Sequence, residues 1–358
     1  MRAMRYYGPG DIRLDNIPEP VVGLGQVKIK VSCTAICGSD LHLYHEKVLD
    51  TALNATESQP PVVMGHEFSG TIVELGPAVN ASRLSVGQDV TVEPTITCMQ
   101  PTCLDCSSPK TRNWCSQIKF IGVSGGGGGL SEYIVVDQML VHPLPPAVSR
   151  EHLEVGAMME PLAVAWHAVK KANVSAGCSA LILGAGPVGI LLLKVLRAFG
   201  AGWVGVSGRS AKRCAFAQEH GASAVFDVAS IGVDVLSETL LATHQRGVDV
   251  VFDCAGSQAT MDTAIGAIRR GGIIVNLALW STKPTIDMNI LLIKEVVIAN
   301  SMCYADDHPE MLEALAQGRF PDLQTLITRR IDFEDLVELG IMALVHEKHD
   351  HVKILVHP

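Results

Sequence analysis

The chain has 358 residues, of which 48% are hydrophobic, so it is long enough to bury a substantial core and to form two domains. Its formal charge of −9 is spread without long acidic or basic runs, which argues against nucleic-acid or membrane partners and favours small molecules. The start of the chain lacks the apolar stretch of an export signal, and the longest apolar run, LLIKEVVIA, is short and carries charge, so we expect a cytoplasmic protein whose ten cysteines stay reduced.

In chain order, the first part of the sequence is rich in short strand patterns. Up to about Pro146, pieces such as QVKIKVSC, GTIVELG and QDVTVEP are separated by Gly, Pro and Asn, which predicts a mostly β domain. Apolar strands then alternate with amphipathic helices from SALILGAG to GGIIVNLAL, which predicts a doubly wound parallel sheet. The tail from about Asn300 lacks a dinucleotide signature. We predict an α/β protein with one domain formed by residues 1–150 and 300–358 and a second formed by residues 151–299.

Three segments of the chain supply residues that suit a catalytic metal. CTAICGSDLH offers Cys37, VVMGHEFSG offers His66 and Glu67, and MMEPLAVAWHA offers Glu160. A thiolate, an imidazole and a carboxylate leave a coordination position for water or substrate, which distinguishes catalytic zinc from structural zinc. Each residue also fits an ordinary role, as a core thiol, a capped loop residue or a helix-start acid, and spacing alone does not join residues so far apart.

Four cysteines lie close together farther along. CMQPTCLDCSSPKTRNWC places Cys98, Cys103, Cys106 and Cys115 within eighteen residues. Four thiolates at this spacing suit one tetrahedral Zn²⁺ that holds a loop together and takes no part in catalysis. The alternatives are a redox pair formed by Cys103 and Cys106, or simply reduced thiols.

The segment ALILGAGPVGILLLKVLRAFG contains a dinucleotide-binding pattern. Gly184, Gly186 and Gly189 form G-x-G-x-x-G directly after a strand and at the start of a helix, with Pro187 and Val188 between them. The glycines permit a tight turn, a close approach of backbone N–H groups to a pyrophosphate, and close helix–strand packing. The helix N-terminus then faces the anion with its partial positive charge.

The segment VGVSGRS ends the next strand without the usual carboxylate. An acid in this position normally binds the adenosine ribose and repels a 2′-phosphate, but here the position holds Gly208, followed by Arg209. Arg209 offers donors that match a phosphate, and Lys212 and Arg213 follow one helical turn later. The sequence therefore predicts NADP(H) as the cofactor. The alternative is that Arg209 is a solvated loop residue and Ser207 alone holds the ribose.

These motifs together resemble the zinc-containing medium-chain dehydrogenase/reductase family from end to end. CGSDLH, GHEFSG, the cysteine segment, SEY, EPLAVAWHA, GAGPVG and VDVVFDCAG occur in the order typical of that family. GHEFSGTIVELG and FIGVSGGGGGLSEY most resemble the branch that includes (R,R)-2,3-butanediol dehydrogenase, with sorbitol and threonine dehydrogenases as cousins. The resemblance implies a GroES-like, mostly β catalytic domain, a Rossmann domain, a cleft site between them, and a homodimer or homotetramer.

The resemblance also implies roles for individual residues. Ser39 and His42 match positions that relay the alcohol proton, and a hydroxyl and an imidazole suit that task. Asp40 matches a residue that orients a metal ligand, although it equally suits a turn. The implied ligands of the catalytic zinc are Cys37 and His66, with Glu67 and Glu160 as ligands or near-ligands, and those of the structural zinc are Cys98, Cys103, Cys106 and Cys115.

Two departures from the family pattern bear on these expectations. Four residues separate Cys98 from Cys103 where the usual pattern has two, and eight instead of seven separate Cys106 from Cys115, so the segment carries extra loop residues between its cysteines. Cys303 stands where sorbitol dehydrogenases carry an arginine that holds polyol hydroxyls, so a polyol substrate is disfavoured. The predicted substrate pocket is lined by Phe120, Tyr44 and residues 46–60.

The predicted activity is hydride transfer between NADP(H) and a secondary alcohol or ketone, with a vicinal diol or hydroxyketone such as 2,3-butanediol or acetoin as the favoured substrate. Three alternatives stay open at this point. They are a polyol dehydrogenase, a zinc-independent reductase of activated alkenes or quinones, and a non-catalytic NADP-binding protein.

Overall fold

The computed structural model describes residues 1–45, 61–146, 148 and 153–358. The chain divides into two compact units, one formed by Met1–Glu160 with Ala305–Pro358 and the other by Pro161–Tyr304. The assignment of a catalytic role to the first unit and a cofactor-binding role to the second stays a prediction.

The N-terminal part of the first unit consists mainly of strands. Its helices are short, and two 3₁₀ segments, Pro109–Trp114 and Gln138–Leu140, connect strands. The elements are β1 (Arg2–Gly8), β2 (Asp11–Asn16), β3 (Gln26–Ala35), α1 (Gly38–His45), β4 (Val62–Val63), β5 (Glu67–Leu75), β6 (Asp89–Val92), β7 (Thr95–Ile96), β8 (Lys119–Phe120), β9 (Tyr133–Asp137), β10 (Val141–Pro143) and α2 (Leu153–Gly156).

The second unit alternates strands with helices. A helix of thirteen residues, α3, contains the boundary between the two units. The elements are α3 (Met159–Lys171), β11 (Ser179–Leu183), α4 (Pro187–Ala198), β12 (Trp203–Gly208), α5 (Ala211–Glu219), β13 (Ala224–Asp227), α6 (Val235–Ala242), β14 (Val248–Asp253), α7 (Gln258–Ala267), β15 (Ile268–Asn276), α8 (Met288–Lys294) and β16 (Val297–Asn300).

The C-terminal segment belongs to the first unit. Its last strand pairs antiparallel with β3 through Leu355 and Val356 and parallel with the strand before it. No helix in the described part of the chain is long and apolar enough to span a bilayer. The elements are α9 (His308–Ala316), a 3₁₀ turn (Leu323–Leu326), β17 (Ile327–Asp332), a 3₁₀ turn (Phe333–Asp335), a π-helix (Leu336–Met342), α10 (Ala343–His346) and β18 (Lys353–His357).

β3 is the central strand of the first unit. It pairs with β5, β9 and β18 in a seven-stranded sheet whose main order is β10-β6-β5-β3-β18-β17. Side chains alternate between the two faces of β3, so Val27, Ile29 and Val31 lie on the same face and point into one core. There they pack with Phe68 and Ile72 of β5. Burying an apolar side chain of this size contributes about 1.5–3 kcal/mol, so β3 anchors the sheet through both its pairing and its side chains.

The second unit contains a six-stranded parallel sheet in the order β13-β12-β11-β14-β15-β16. The order runs outward in both directions from β11, which is the arrangement of a doubly wound dinucleotide-binding fold. Strands covered by helices on both faces read as near-continuous apolar runs, as ALIL of β11 does. The predicted fold class, a mostly β domain together with a doubly wound parallel sheet, is confirmed.

Candidate active site

Cys37 lies at the junction between a strand and a helix. β3 ends at Ala35 and α1 begins at Gly38, so Cys37 is in the connecting turn. Asp40 fixes this turn because its Oδ2 accepts a hydrogen bond from the backbone N–H of Cys37 at 2.9 Å. A carboxylate in the first turn of a helix also interacts favourably with the helix dipole. The thiol is therefore held in a defined, half-buried position.

His66 and Glu67 reach the same place through strand pairing. β5 begins at Glu67 and runs antiparallel to β3, with Glu67 opposite Ala35. One ligand atom from each of Cys37, His66 and Glu67 lies within 4.8 Å of the other two. His66 and Glu67 are buried. The strand register thus joins residues that are far apart in sequence.

The polar atoms of this cluster fit a metal ion. Within the described part of the chain, Asp40 Oδ1, His66 Nδ1 and Glu67 Oε1 are shielded from solvent and have no hydrogen-bond partner. An unpaired buried polar group costs about 1–3 kcal/mol, and more when it is charged. A thiolate, an imidazole and a carboxylate oxygen are donors that Zn²⁺ accepts, so this donor set fits zinc.

Neighbouring charges favour a cation at the cluster. Burial lowers the pKa of His66, but Cys37 and Asp40 outweigh it, so this pKa lies well above its ordinary value. Burial raises the pKa of the Asp40 carboxyl, whose Oδ1 lies 3.8 Å from Nδ1 of His66. These acidic groups therefore favour a positive charge beside the imidazole of His66. A bound divalent ion would provide that charge.

Lys353 is a buried partner of the cluster that sequence reasoning missed. Its ammonium group forms an ion pair with Oε2 of Glu67 and donates to the carbonyl of Ile36 at 3.4 Å. Burial lowers the pKa of Lys353, but the Glu67 charge outweighs it and the pKa is raised. Lys353 begins β18, and no local sequence signal connects it with Glu67, 286 residues away. Only the pairing of β18 with β3 brings the two together.

Glu160 lies near the cluster, in the first turn of α3. The side chain is buried, and its charge raises the pKa values of both His66 and Lys353. In the described residues, the compact group of three ligand atoms contains Glu67 and does not contain Glu160. Both carboxylates therefore lie at the same cluster, and Glu67 has an oxygen within 4.8 Å of the candidate ligand atoms of Cys37 and His66.

The two predicted proton-relay residues lie on α1. The Oγ of Ser39 lies 3.1 Å from Nε2 of His66. The His42 side chain is exposed and makes no hydrogen bond within the described residues. Ser39 is therefore next to a candidate metal ligand, and the relay role of His42 stays a prediction.

The four clustered cysteines also converge, despite their unusual spacing. One sulfur from each of Cys98, Cys103, Cys106 and Cys115 lies within 4.8 Å of the others, and all four are free thiols. Burial raises the pKa of Cys115, but N–H groups of Cys98 and Gln117 outweigh it and lower this pKa to about 7. A thiolate available near neutral pH and four convergent sulfurs fit one tetrahedral zinc ion.

The glycine-rich segment forms a tight turn between β11 and α4. Gly184 adopts a φ of 121°, which favours glycine, and its N–H donates to the carbonyl of Ser207 at 3.0 Å. A Cβ at Gly189 would collide with the carbonyl oxygen of Gly184, so only glycine lets the helix pack this closely. Gly186 caps α4, and Pro187 occupies its first turn. This turn, which continues into the helix at Val188, fits a pyrophosphate.

The end of β12 lies next to this turn. Ser207 and Gly208 are buried, whereas Arg209 is exposed in the connection to α5. Arg213 is half-buried, and its Nη1 would lie 3.9 Å from a Cβ at Gly186. Burial lowers the pKa of Arg213. One guanidinium is therefore beside the glycine turn and another is at the strand end, where an adenosine ribose would be held.

Comparisons with known proteins agree with this geometry. Residues 23–146 match the family model described as the alcohol dehydrogenase GroES-like domain, and residues 187–317 match the one described as zinc-binding dehydrogenase. The (R,R)-butanediol dehydrogenase of Neisseria gonorrhoeae is 36% identical over 100% of this chain and 99% of its own length. The chain belongs to the zinc-containing medium-chain dehydrogenase/reductase family.

Solved structures of family members extend the match. The 2R,3R-butanediol dehydrogenase of Bacillus subtilis has a TM-score of 0.89 and 36% identity, covering 100% of this chain and 99% of its own. A zinc-binding dehydrogenase of Sinorhizobium meliloti, solved with NADP, has a TM-score of 0.86 and 31% identity, covering 100% and 99%. Family membership makes the chain an alcohol dehydrogenase that uses a nicotinamide dinucleotide.

The predicted substrate pocket of this family member is described only in part. Phe120 is buried in β8, and Tyr44 packs edge-on against His45, with ring centroids 5.1 Å apart. The predicted contribution of residues 46–60 lies outside the described residues. Cys303 adopts a positive φ of 53°, directly before the fully buried Tyr304.

Proposed function

We propose that the chain is a zinc-dependent, NADP(H)-preferring dehydrogenase that interconverts a vicinal diol and a hydroxyketone, with 2,3-butanediol and acetoin as substrates. The observation that carries the proposal is the buried cluster of Cys37, His66 and Glu67, in a chain whose full-length relatives include (R,R)-butanediol dehydrogenases. The absence of the polyol-binding arginine at Cys303 supports a small diol over a sugar alcohol.

Cys37 and His66 would hold the catalytic zinc, with Glu67 or Glu160 supplying a carboxylate ligand. When bound, zinc supplies Lewis acidity toward an alcohol or carbonyl oxygen, and the nicotinamide accepts or supplies hydride. Asp40, whose Oδ1 lies 3.8 Å from Nδ1 of His66, would act on the imidazole through its charge. The second zinc is held by the four cysteines of the Cys98–Cys115 segment and keeps that segment folded.

Ser39 would accept the proton of the bound alcohol at its hydroxyl oxygen while its own hydroxyl proton passes onward to His42, and the two transfers would reverse in reduction. Its hydroxyl touches the ligand imidazole, and His42 lies three residues later, on the same face of α1. Because His42 is exposed, its imidazole can pass the proton to solvent.

The NADP(H) preference comes from the end of β12. Gly208 provides no carboxylate to repel a 2′-phosphate, and Arg209 is exposed and available to bind it. Arg213 lies against the glycine turn, where it holds the adenosine part of the cofactor. The Gly184–Gly189 turn and the N-terminus of α4 bind the pyrophosphate.

Two further proposals concern the state of the protein. All ten cysteines are free, which agrees with a reducing cytoplasm. We also propose a homodimer, or a homotetramer built from dimers, because β16 leaves an unpaired strand edge in the described sheet.

The experiment is a substrate and cofactor screen on the full-length protein, before and after chelation. 2,3-Butanediol stereoisomers, acetoin, sorbitol, xylitol, an activated alkene and a quinone are each assayed with NADP(H) and with NAD(H). We expect turnover of butanediol and acetoin with NADP(H), loss of it on chelation, and recovery with added zinc. Cys37→Ser should abolish turnover, and Cys178→Ser, at a buried cysteine of the second unit, should retain it.

Other outcomes would each support a named alternative. Faster turnover of sorbitol or xylitol would make the chain a polyol dehydrogenase. Undiminished alkene or quinone reduction after zinc removal would make it a zinc-independent reductase. Binding of NADP(H) without any turnover would leave a non-catalytic protein.

A further inference from the structure

The first unit contains a second buried polar cluster, formed by residues with no part in the proposed reaction. Glu93 directly follows β6, His142 lies in β10, and His308 begins α9. Nε2 of His142 lies 3.3 Å from Oε2 of Glu93, and Nδ1 of His308 lies 3.5 Å from the same oxygen. Glu93 and His308 are 0% exposed and His142 is 8% exposed.

Charge balance alone does not explain why two imidazoles are buried here. The guanidinium of Arg112 already neutralises Glu93, with Nη2 at 2.8 and 2.9 Å from its two oxygens. A neutral imidazole keeps a lone pair, which is the form that binds metals.

We propose that Glu93, His142 and His308 form a third metal site, for a divalent ion of the zinc class. One ligand atom from each lies within 4.8 Å of the other two. Two imidazole nitrogens and one carboxylate oxygen form a donor set found in zinc sites that keep an open position. Nitrogen donors favour zinc, cobalt or nickel over magnesium or calcium.

A cavity beside the cluster gives such a site access to solvent. The cavity has a volume of about 790 Å³ and is lined by His142 and Arg112. The cavity wall also carries Asp306 and Glu313, whose negative charges favour a cation. Arg83 lines the cavity as well, but its guanidinium donates hydrogen bonds to the carbonyls of Gln138 and Val141. A water molecule or small anion therefore has room to complete the coordination.

Two features make this site weaker than the thiolate sites. The rings of His142 and His308 stack with centroids 4.8 Å apart and planes inclined by 11°, so one ion cannot lie in both ring planes until one ring turns. His142 borders the cavity and is the ring with room to turn. Arg112 repels a second cation at Glu93, which lowers affinity without excluding the ion.

The test is zinc titration of the purified full-length protein after dialysis against a weak chelator, with bound zinc measured by mass spectrometry. We expect two tightly bound ions and a third, weaker one. His142→Gln and His308→Gln should each weaken the third by more than about 100-fold and leave the first two, because each removes a direct ligand. His349→Ala, at an exposed histidine, should change nothing.

Two further measurements keep the test decisive if the His308 variant folds poorly. Arg112→Gln should strengthen binding of the third ion several-fold, the opposite sign to a loss of folding. Cobalt added to the zinc-loaded protein should give ligand-field absorption without thiolate charge-transfer bands. The proposal would be overturned if no third ion bound, or if its binding were unaffected by the His142 and Arg112 variants. Neither result bears on the catalytic zinc, because turnover of butanediol reports on that ion separately.

Discussion

At the scale of single residues, the ion pair between Lys353 and Glu67 is the least expected feature of the site. Their side chains are 2% and 1% exposed, so neither charge is solvated by water. Losing one partner of such a pair leaves an uncompensated buried charge, which costs about 3–5 kcal/mol. Lys353 is therefore the buried counter-charge of Glu67, next to His66.

We predict that Lys353→Met destabilises the protein by about 3–5 kcal/mol, whereas Glu67→Gln together with Lys353→Met costs less than the sum of the two single changes. Chemical denaturation of the zinc-saturated protein and its three variants measures this coupling. Lys348→Met, at an exposed lysine, is the control. Additive effects would show that the pair contributes nothing as a pair.

A second prediction concerns the end of β12, which we propose selects the cofactor. Gly208→Asp should change the NADP/NAD ratio of kcat/KM toward NAD by about 100-fold or more, because the carboxylate repels a 2′-phosphate. A Cβ at this position would lie 2.8 Å from Cβ of Ala185, so Gly208→Asp should also lower the melting temperature, and Ala185→Gly should relieve the crowding.

Arg209→Ala is the complementary change. It should lower kcat/KM with NADPH by about tenfold or more and leave the value with NADH nearly unchanged, since a charge-assisted hydrogen bond is worth about 1.5–3 kcal/mol. Equal losses with both cofactors would contradict the assignment of Arg209 to the 2′-phosphate.

At the scale of elements, three parallel strands of the second unit are joined at one end by a single carboxylate. Oδ2 of Asp249 in β14 accepts from the N–H and the hydroxyl of Ser179 in β11, at 2.8 and 2.7 Å. Its Oδ1 accepts from Nε of Arg269 in β15 at 2.6 Å. Burial raises the pKa of Asp249, but these hydrogen bonds outweigh it and lower the pKa to about 2.

We predict that Asp249→Asn destabilises the protein at pH 7 by about 1–3 kcal/mol. Because the folded-state pKa is about 2, below the ordinary value of 3.8, this stability is fully present above about pH 4 and is lost as the pH falls toward 2. The difference in unfolding free energy between wild type and variant should therefore shrink over that window. Glu219→Gln, at an exposed carboxylate, should show no such difference, and a constant difference for Asp249→Asn would contradict the account.

The same elements show what the sequence could and could not predict. Periodicity and glycine spacing predicted β11, α4 and β12, because the signals that form a strand–turn–helix unit are local. The grouping of Cys37 with His66 came from resemblance, since the pairing of β3 with β5 that joins them is not encoded in either segment alone. Lys353 was missed for the same reason, because its partner lies on another strand.

At the scale of the whole molecule, the surface beside β16 is the one that most lacks a packing partner. This strand is at one edge of the six-stranded sheet, where its outward backbone groups have no strand partner within the described residues. Five large apolar side chains between residues 288 and 297 are exposed, namely Met288, Ile290, Leu292, Ile293 and Val297. An unpaired edge with apolar neighbours is a template for pairing with another chain, and a second copy would cover both features.

We predict that the wild-type protein is a dimer or a tetramer at micromolar concentration. The double variant Val297→Lys with Leu292→Lys should have a lower molecular mass in solution, because its subunits dissociate. A lysine on an edge strand opposes strand addition, and Val297 and Leu292 are 56% and 75% exposed before any partner covers them. Light scattering after size-exclusion chromatography measures the mass. Ile231→Lys, at a fully exposed residue of the same unit, is the matched control. A wild-type monomer, or an oligomer whose mass the double variant leaves unchanged, would show that β16 does not join two copies of the chain.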